Sequence, residues 1–341
     1  MKKNYAYFIA VYIFLNFCSC SGTPRSVSVL TGDFDTPVLE SVSCTSSRSV
    51  QLLFSEAVTG KFVEVGKAEN IQIETALVCS LSEKIDAQYI QKSSNVLEVR
   101  FLDATETGNS YIVRGTVIDS NNNTLTFAYI FIGYNDNVPD VILSEVQSRY
   151  SNPKVEFVEI YVRTNGNLSG VCIYSAKDGA NGRYEFPPIE VEAGEFVVVH
   201  FRNIEADIAN ETGNDLNLSG GTYSSSARDL WVENKSARIG DKTDVILLEK
   251  TADGVVLDAV AFAESTLEDW PKDTFVQALN RAVKDGAWNS ISIKDAAVGD
   301  KLSATRTISR KGNLDGVIVF SRDSWSVTSI NSASPGKPNS D

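Results

Sequence analysis

DVILLEKTADGVVLDAVAF, residues Asp244–Phe262, contains two apolar runs separated by a turn signal. The first run is Val245–Leu248 and the second is Val255–Phe262, and both are rich in valine, isoleucine and leucine. Asp253-Gly254 lies between them, and an Asp-Gly dipeptide between apolar runs is typical of a tight hairpin turn. The stretch therefore predicts a β-hairpin.

Further strands flank this hairpin in the second half of the chain. Upstream, Val141–Val146, Val155–Ile160 and Phe196–Val199 are short apolar segments bounded by turns. In chain order the region carries the pieces SEV, EFVEIY, LSG and AGEFVVV, then the hairpin, then Trp325 and the terminal SPGKPN. Taken together these pieces resemble a lamin-tail domain, an immunoglobulin-like sandwich also found in exported bacterial proteins. The resemblance spans residues 141–339, and Cys172 stands near the position where that family usually carries tryptophan.

Short strands also fill residues 37–133. Val50, Leu52 and Phe54 alternate along one strand, and a turn at Asp119–Asn123 precedes another at Thr124–Ile132. Strands at short spacing without helical periodicity indicate an antiparallel sandwich. The piece LFSEAV, residues 53–58, resembles a strand of bacterial immunoglobulin-like modules. That resemblance implies a spacer or adhesion fold with no inherited active site.

The predicted fold class is all-β, with two immunoglobulin-like antiparallel β-sandwiches in tandem. The predicted domain bounds are 37–133 for the bacterial immunoglobulin-like domain, 134–140 for a linker, and 141–341 for the lamin-tail-like domain. Two insertions are predicted in the second domain, a polar surface excursion near 203–243 and a segment near 265–304. The latter contains one short helix, with Asp273 or Thr274 as N-cap and with Phe275, Leu279 and Ala282 on its buried face.

The first nineteen residues have the pattern of an export signal. Lys2 and Lys3 precede an apolar run, Tyr5–Phe17, which is short for a membrane span. The run ends in Cys18-Ser19-Cys20-Ser-Gly, which resembles the export signal of bacterial lipoproteins, in which a cysteine after the cleavage point is acylated. Cys20 is the preferred attachment residue because the small Ser19 precedes it, whereas Cys18 follows the bulky Phe17. Residues 1–19 are therefore predicted to be a signal peptide and residues 20–36 a polar tether.

Composition excludes some partners. The chain has 31 basic and 44 acidic residues, a formal net charge of −13, without a basic cluster. Such a chain repels phosphate backbones, so nucleic acid is not an expected partner. The expected partners are a lipid membrane, through the acylated cysteine, and a protein or glycan ligand. No cofactor is expected, with Ca²⁺ as an open alternative because Asp119–Asn123 and Asp136–Asp140 offer oxygen ligands that a turn would also explain.

Catalytic patterns are weak in this sequence. Glu156 and Glu159 stand three residues apart on a predicted strand, so they are expected on opposite faces. His200 is the only histidine and closes the run Phe196–Val199, which predicts a strand-end position at the sheet rim. No Gly-x-Ser-x-Gly elbow and no nucleotide-binding glycine pattern is present. An enzyme is therefore not expected.

Aromatic residues in the insertions are the candidate ligand contacts. Tyr223, Trp231 and Trp270 occur in polar segments, where they either bind a protein or carbohydrate ligand or cover the ends of the sandwich. The sequence predicts a membrane-anchored envelope lipoprotein, at the outer membrane or cell surface, with a non-catalytic binding, scaffolding or adhesion role. The alternatives are an accessory protein of an exported hydrolase or nuclease, and a calcium-stabilised structural surface protein.

Overall fold

The computed structural model describes residues 35–68, 81–151, 155–177, 179–202, 208–219, 226–232, 239–251 and 254–339. Several predictions fall outside these residues. They concern the signal peptide at 1–19, nearly all of the tether at 20–36, and Cys18, Cys20 and Tyr223.

The first half of the chain forms two four-stranded sheets. One has the strand order β1-β2-β6-β5 and the other β4-β3-β7-β8, with every pairing antiparallel. The eight strands are β1 (Leu39–Ser46), β2 (Ser49–Phe54), β3 (Thr59–Ala68), β4 (Leu81–Ile85), β5 (Ala87–Ser93), β6 (Val96–Phe101), β7 (Ser110–Ile118) and β8 (Thr124–Ile132).

Aromatic side chains fill the space between these two sheets. Phe54 and Phe127 meet edge to face with ring centroids 5.8 Å apart, and Phe131 stacks between Phe101 and Tyr111 at 5.9 and 5.7 Å. Alternate residues of β2 are buried, as the period-two pattern of Val50, Leu52 and Phe54 predicts. The first half is therefore a β-sandwich closed by a single apolar core.

The second half forms a larger sandwich of a six-stranded and a five-stranded sheet. The six-stranded sheet has the order β16-β15-β10-β9-β20-β21, the five-stranded sheet has β13-β12-β17-β18-β19, and β11 pairs with β14. The strands are β9 (Val141–Gln147), β10 (Phe157–Val162), β11 (Gly166–Asn167), β12 (Val171–Ser175), β13 (Arg183–Glu185), β14 (Glu190–Val191), β15 (Phe196–His200), β16 (Arg228–Trp231), β17 (Asp244–Lys250), β18 (Val256–Ala263), β19 (Ala297–Val298), β20 (Ile308–Arg310) and β21 (Trp325–Val327).

The predicted hairpin lies in the middle of the five-stranded sheet. β17 pairs antiparallel with β18, and Gly254 in the connection has φ +69°, a left-handed conformation that favours glycine. Both hairpin strands contribute to one large apolar core, which confirms a buried β-hairpin at this position. Two edge pairings are parallel, β15 with β16 and β18 with β19, so the sandwich is antiparallel except at these edges.

The predicted helix is present as α1, Asp273–Lys284. Phe275, Ala278, Leu279 and Ala282 are buried against β17 and β18, so the apolar face packs on the sandwich. The N-cap residue is Lys272, with extended backbone and no side-chain cap, and Asp273 lies in the first turn. The predicted N-cap was therefore one or two residues too late, because the helix begins without the side-chain capping bond that defines the sequence signal.

Three short 3₁₀ helices complete the secondary structure of the described residues, at Gly179–Gly182, Ile293–Asp295 and Arg322–Ser324. In this part of the chain no helix combines the length and the apolar character needed to cross a bilayer.

The polar excursion predicted near 203–243 is partly wrong. Arg228–Trp231 forms β16, a fully buried strand that extends the six-stranded sheet beyond β15. Charged Arg228 and Asp229 conceal this strand in the sequence, because strand patterns are recognised by apolar alternation. Arg228 is neutralised by Glu195 at 2.6 Å and donates to the carbonyl oxygen of Glu211 at 2.6 Å.

A buried ion pair joins the two sheets of the second sandwich. Nη2 of Arg310, on β20, lies 2.5 Å from Oδ2 of Asp258, on β18, and the side chains are 2% and 0% exposed. The same carboxylate oxygen accepts the backbone N–H of Leu143 at 2.7 Å, and Arg310 Nε donates to the carbonyl of Leu143 at 2.8 Å. The guanidinium also lies over the ring of Trp325, 4.6 Å from its centroid. One cluster thus connects β9, β18, β20 and β21.

The segment between the sandwiches is hydrogen-bonded to the second one. Asn135 Nδ2 donates to the carbonyl oxygens of Asn167 at 2.5 Å and Ser169 at 2.9 Å, and Asn167 N–H donates to the carbonyl of Asn137 at 2.8 Å. Gly108 of the first sandwich approaches Pro188 of the second so closely that a Cβ would lie 2.0 Å from Pro188 Cγ. Direct contact and linker hydrogen bonds therefore both hold the tandem together.

Candidate functional site

Buried polar side chains lie in a row across the outer face of the six-stranded sheet, the face turned away from the sandwich core. Glu145 of β9 is paired with Glu159 of β10, Glu159 with Val198 of β15, and Val198 with Asp229 of β16. Glu145, Glu159 and Asp229 are at most 1% exposed. This outer-face row collects the buried acids of three strands.

His200 lies beside this row and not at the rim of the sheet. It is 0% exposed, its Nε2 lies 2.8 Å from Asp229 Oδ1, and its ring stacks on Trp231 with centroids 3.8 Å apart. His200 is the last residue of β15, which agrees with the predicted strand-end position. The predicted rim position is wrong, because β16 pairs outside β15 and Trp231 of β16 stacks on the histidine ring.

A segment near the C-terminus covers the row. Residues Ser334–Asn339, here named the C-terminal strap, contain the SPGKPN motif. Gly336 N–H donates to Glu159 Oε2 at 2.6 Å, Ser334 N–H donates to Glu145 Oε2 at 3.0 Å, and Asn339 Nδ2 donates to the carbonyl of Arg310 at 3.0 Å. Gly336 has φ +77°, so glycine is the residue that this bend favours. The two motifs EFVEIY and SPGKPN therefore meet in space.

Burial controls the electrostatics of the covered acids. Burial raises the pKa of Glu159 well above its usual value, and the nearby Glu145 and Asp229 raise it further. Burial also raises the pKa of Glu145, against the hydrogen bonds from Thr307 and Ser334. Among the described residues, neither glutamate takes part in a salt bridge.

The neighbouring acids each serve a local structural contact. The Glu156 carboxylate accepts hydrogen bonds from Nε and Nη2 of Arg202, each at 3.1 Å. Glu159 is bonded to the strap instead, which agrees with the prediction that the two glutamates lie on opposite faces of the strand. Glu211, 0% exposed, accepts the backbone N–H of Asp229 at 2.7 Å and that of Ser219 at 3.1 Å. Glu211 thereby attaches the 208–219 segment to the edge strand β16.

This arrangement limits what the row can do chemically. A general acid or base must come within hydrogen-bond reach of a substrate. His200, Asp229 and Glu159 have essentially no solvent-exposed surface, and the strap and Trp231 lie over them. In the structure these residues hold covering segments on the sheet.

The two described tryptophans among the candidate ligand contacts are engaged in packing. Trp231 is 7% exposed and stacks on His200. Trp270 packs on Phe275 with ring centroids 5.6 Å apart, and its Nε1 donates to the carbonyl oxygen of Ile291 at 2.9 Å. Tyr223 lies outside the described residues. Contact of these residues with a ligand stays a prediction.

The Asp/Asn group at Asp119–Asn123 forms a turn stabilised by its own side chains. Asp119 Oδ1 accepts the backbone N–H of Asn121 at 2.8 Å and of Asn123 at 2.7 Å, and Asn122 adopts φ +69°. In the described ranges, no group of three or more His, Cys, Asp or Glu side chains has an arrangement that could hold a metal ion.

The two described cysteines are shielded to different extents. Cys172 is fully buried, and burial raises its pKa to about 12; Cys44 is half-buried, and burial raises its pKa to about 11. A thiol with such a pKa is a poor nucleophile near neutral pH. Cys172 therefore packs in the core as a small apolar residue. Cys44 lines a cleft of about 540 Å³ between the sandwiches, together with Tyr134, Asp136, Glu185 and Lys250.

Sequence reasoning missed Glu145 and Asp229 as members of the buried row, and the neighbouring buried Glu211. One signal was present: Glu145 interrupts the apolar strand Val141–Val146, as Glu159 interrupts Phe157–Val162. An acid inside an otherwise buried strand requires a partner, and the partner here is a backbone N–H far along the chain.

Comparison with protein families gives a match in the second half of the chain. The family model TP_1001_2nd, described as a protein second domain, matches residues 139–327, more than half of the chain. The chain belongs to the TP_1001_2nd family. The TP_1001_2nd match runs from the end of the linker through β21, so the C-terminal strap lies beyond it.

One curated relative matches a larger share of the chain than the family model does. An uncharacterized protein of Treponema pallidum (strain Nichols) is 29% identical over 225 residues, which are 63% of this chain and 56% of the relative. The chain therefore aligns with little more than half of that relative's length.

Solved structures align only distantly. The N-terminal part of the bacterial S-layer protein SbsC is 16% identical, over 67% of this chain and 44% of that chain, with a TM-score of 0.25. A DUF4785 family protein from Legionella pneumophila is 12% identical, over 65% and 54%, with a TM-score of 0.23. These scores carry no functional argument.

Proposed function

We propose that this protein is an exported lipoprotein of the bacterial envelope with a non-catalytic binding, scaffolding or adhesion role. In this proposal the acylated Cys20 anchors the chain, residues 20–36 form a tether, and the tandem sandwiches project from the membrane. The support for the anchor is the sequence pattern of residues 1–22. The outer membrane or the cell surface is the proposed location.

The burial of the polar outer-face row carries the non-catalytic part of the proposal. Catalytic groups work at a surface that a substrate can reach, and function usually resides in loops placed by a rigid scaffold. Here His200 and the three acids of the row are covered, and their hydrogen bonds go to the strap, to Thr307 and to each other. These residues stabilise the fold and are not available to a substrate, which supports a structural or binding role.

The junction between the sandwiches supports a spacer role for the first one. A spacer that presents a second domain works best when the two are in fixed contact, because a flexible linker lets them reorient. Gly108 against Pro188 and Asn135 against Asn167 and Ser169 provide such contacts. The loops of the second sandwich are the proposed contact surface for a protein or glycan.

Replacement of the attachment cysteine tests the anchor. In cells fed labelled palmitate, the full chain with Cys20→Ser is expected to lose the label and to leave the membrane fraction. The matched variant Cys18→Ser is expected to keep both. A Cys20→Ser protein that remains labelled in the membrane contradicts the anchor assignment. In a separate experiment, protease treatment of intact cells that carry the parent protein distinguishes a surface location from a periplasmic one.

A further inference from the structure

A cleft of about 640 Å³ opens at one end of the second sandwich, and basic side chains from three separate segments line it. Arg149 follows β9, Lys177 follows β12, and Lys242 precedes β17. β12 begins beside the linker, where Asn135 bonds to Ser169, and ends beside this cleft. The cleft therefore lies at the end of the second sandwich that is opposite the linker.

A buried carboxylate fixes two walls of the cleft. Asp244 is 0% exposed and accepts the backbone N–H of Lys177 at 3.0 Å and that of Gly240 at 2.8 Å. Ser148 Oγ donates to the carbonyl oxygen of Asp241 at 2.7 Å, which joins the segment before β17 to the end of β9. These hydrogen bonds connect all three basic segments, so the cleft is preformed and its side chains converge on one place.

Two lysines at the cleft have no ion-pair partner among the described residues. They are Lys177, on the cleft wall, and Lys272, whose Nζ donates to the carbonyl oxygen of Lys177 at 2.8 Å. Both residues are exposed. Because the chain has a net charge of −13, lysines without a neighbouring acid stand out from the general charge of its surface.

The other two cations of the cleft are in exposed ion pairs. Arg149 Nε lies 3.8 Å from Asp241 Oδ2. Lys242 Nζ lies 3.2 Å from Glu264 Oε1, and the four side chains are between 34% and 64% exposed. Exposed pairs of this kind add little stability, so an incoming anion can replace the acid beside either cation. Four cations face two exposed acids, with Asp244 buried beneath them, so an excess of positive charge remains at the cleft.

We propose that this cleft binds an acidic saccharide, with the anionic group of the sugar at Lys177 and its hydroxyl groups at Asp241 and Glu264. The proposal rests on the binding role proposed above and names a ligand class and a site for it. Carboxylate side chains accept hydrogen bonds from sugar hydroxyls, whereas lysine and arginine donate to a carboxylate or sulfate. A cleft that carries both charges therefore suits a ligand with an anionic group on a hydroxyl-rich frame.

The size of the cleft and the charge of the chain agree with such a ligand. Small-molecule sites typically have volumes of about 300–1,000 Å³, and this cleft falls within that range. A nucleic acid suits the cleft less, because the net charge of −13 repels a densely charged polymer.

The test measures calorimetric binding of three acidic saccharides to the full chain: digalacturonate, sialyllactose and galactose 6-sulfate. At least one is expected to bind. Its uncharged counterpart, which is the dimethyl ester of digalacturonate, lactose or galactose, is expected to bind about tenfold more weakly, because it lacks the charge-assisted hydrogen bond. Binding is also expected to weaken as salt rises from about 0.01 M to about 1 M, since the Debye length falls from about 30 Å to about 3 Å.

Variants at the cleft separate this site from any other site on the chain. Lys177→Gln is expected to weaken binding of the acidic saccharide about tenfold, through loss of the same charged contact. The control Lys61→Gln removes an exposed lysine of β3, with the same change in net charge, and is expected to leave binding unchanged. Glu264→Gln keeps an oxygen acceptor and frees Lys242, so it is expected to tighten binding, a gain that misfolding does not produce.

The proposal is overturned if none of the three saccharides binds, or if the uncharged counterparts bind equally well. It is also overturned if only inorganic sulfate or single-stranded DNA binds, or if Lys177→Gln and Lys61→Gln have equal effects. In that last case the chain still binds a saccharide at another place, so the proposed binding role stands while the cleft is excluded. Palmitate labelling of Cys20→Ser tests the anchor independently of all these outcomes.

Discussion

Removal of Arg310 tests whether the buried ion pair fastens the two sheets of the second sandwich. Arg310→Met keeps most of the side-chain volume but deletes the donors to Asp258 and to the carbonyl of Leu143. Asp258 then keeps only the backbone N–H groups of Leu143 and Ala259, at 2.7 Å each, in a site with 0% exposure. Breaking one partner of such a pair typically costs about 3–5 kcal/mol, because an uncompensated buried charge remains.

The expected loss corresponds to a decrease of about 6–20 °C in melting temperature for a sandwich of this size, measured by calorimetry at neutral pH. The double variant Asp258→Asn/Arg310→Met removes both charges, so its cost is expected to be at least about 1 kcal/mol less than the sum of the two single costs. The penalty of Arg310→Met is also expected to shrink as pH falls, since burial raises the pKa of Asp258 and the arginine no longer opposes it.

The matched control is an exposed ion pair of the same domain. Lys294 and Glu268 lie 3.7 Å apart with side chains 74% and 86% exposed, so Glu268→Gln is expected to cost less than about 1 kcal/mol. The reasoning is refuted if Arg310→Met is as mild as this control, or if the two single costs simply add in the double variant.

Three further predictions concern other parts of the fold. Burial raises the pKa of Asp244 to about 6, so the parent is expected to lose stability relative to Asp244→Asn as pH rises from about 4 to about 6. The difference amounts to a factor of up to tenfold in the unfolding constant per pH unit. Equal pH slopes of the two proteins in urea titrations would contradict this prediction. Gly108→Ala is expected to increase proteolytic cleavage between residues 134 and 140, because the new Cβ collides with Pro188 and separates the two sandwiches. The control Gly194→Ala is also at positive φ but has nothing within 4 Å, so it is expected to show only backbone strain of about 1–2 kcal/mol. Leu279→Ala in α1 is expected to lower the free energy of unfolding, measured by chemical denaturation, by about 2–5 kcal/mol. The exposed control Asn280→Ala is expected to lower it by less than about 0.5 kcal/mol, and similar values for both variants would show that the helix does not pack on the core.

The local pattern predicted those elements whose side chains follow a regular period. The alternation of Val50, Leu52 and Phe54 corresponds to β2, and the turn at Gly254 corresponds to the β17–β18 connection. The buried stripe of α1 follows its 3.6-residue spacing. These features were predictable because burial of one face repeats at a fixed interval along the chain.

The pattern failed where buried polar residues do the packing. β16 contains the charged residues Arg228 and Asp229, which are buried because residues from other segments form hydrogen bonds with them. These partners are Glu195 and Glu211 for Arg228, and Glu211 and His200 for Asp229. The rim position predicted for His200 failed for the same reason, since the presence of β16 beside β15 is a long-range pairing. No window of sequence around His200 contains that information.

Local sequence patterns were enough to predict an all-β chain, two sets of strands on either side of a linker, and one helix in the second set. Period-two and period-3.6 patterns are local, so they survive without the tertiary structure. Long-range strand pairing in the folded chain brings Glu145, Glu159 and Asp229 into one buried row, with the backbone N–H groups of Ser334 and Gly336 bonded to its two glutamates. That arrangement depends on which strands become neighbours and on how deeply each charge is removed from water, and both are properties of the folded chain as a whole.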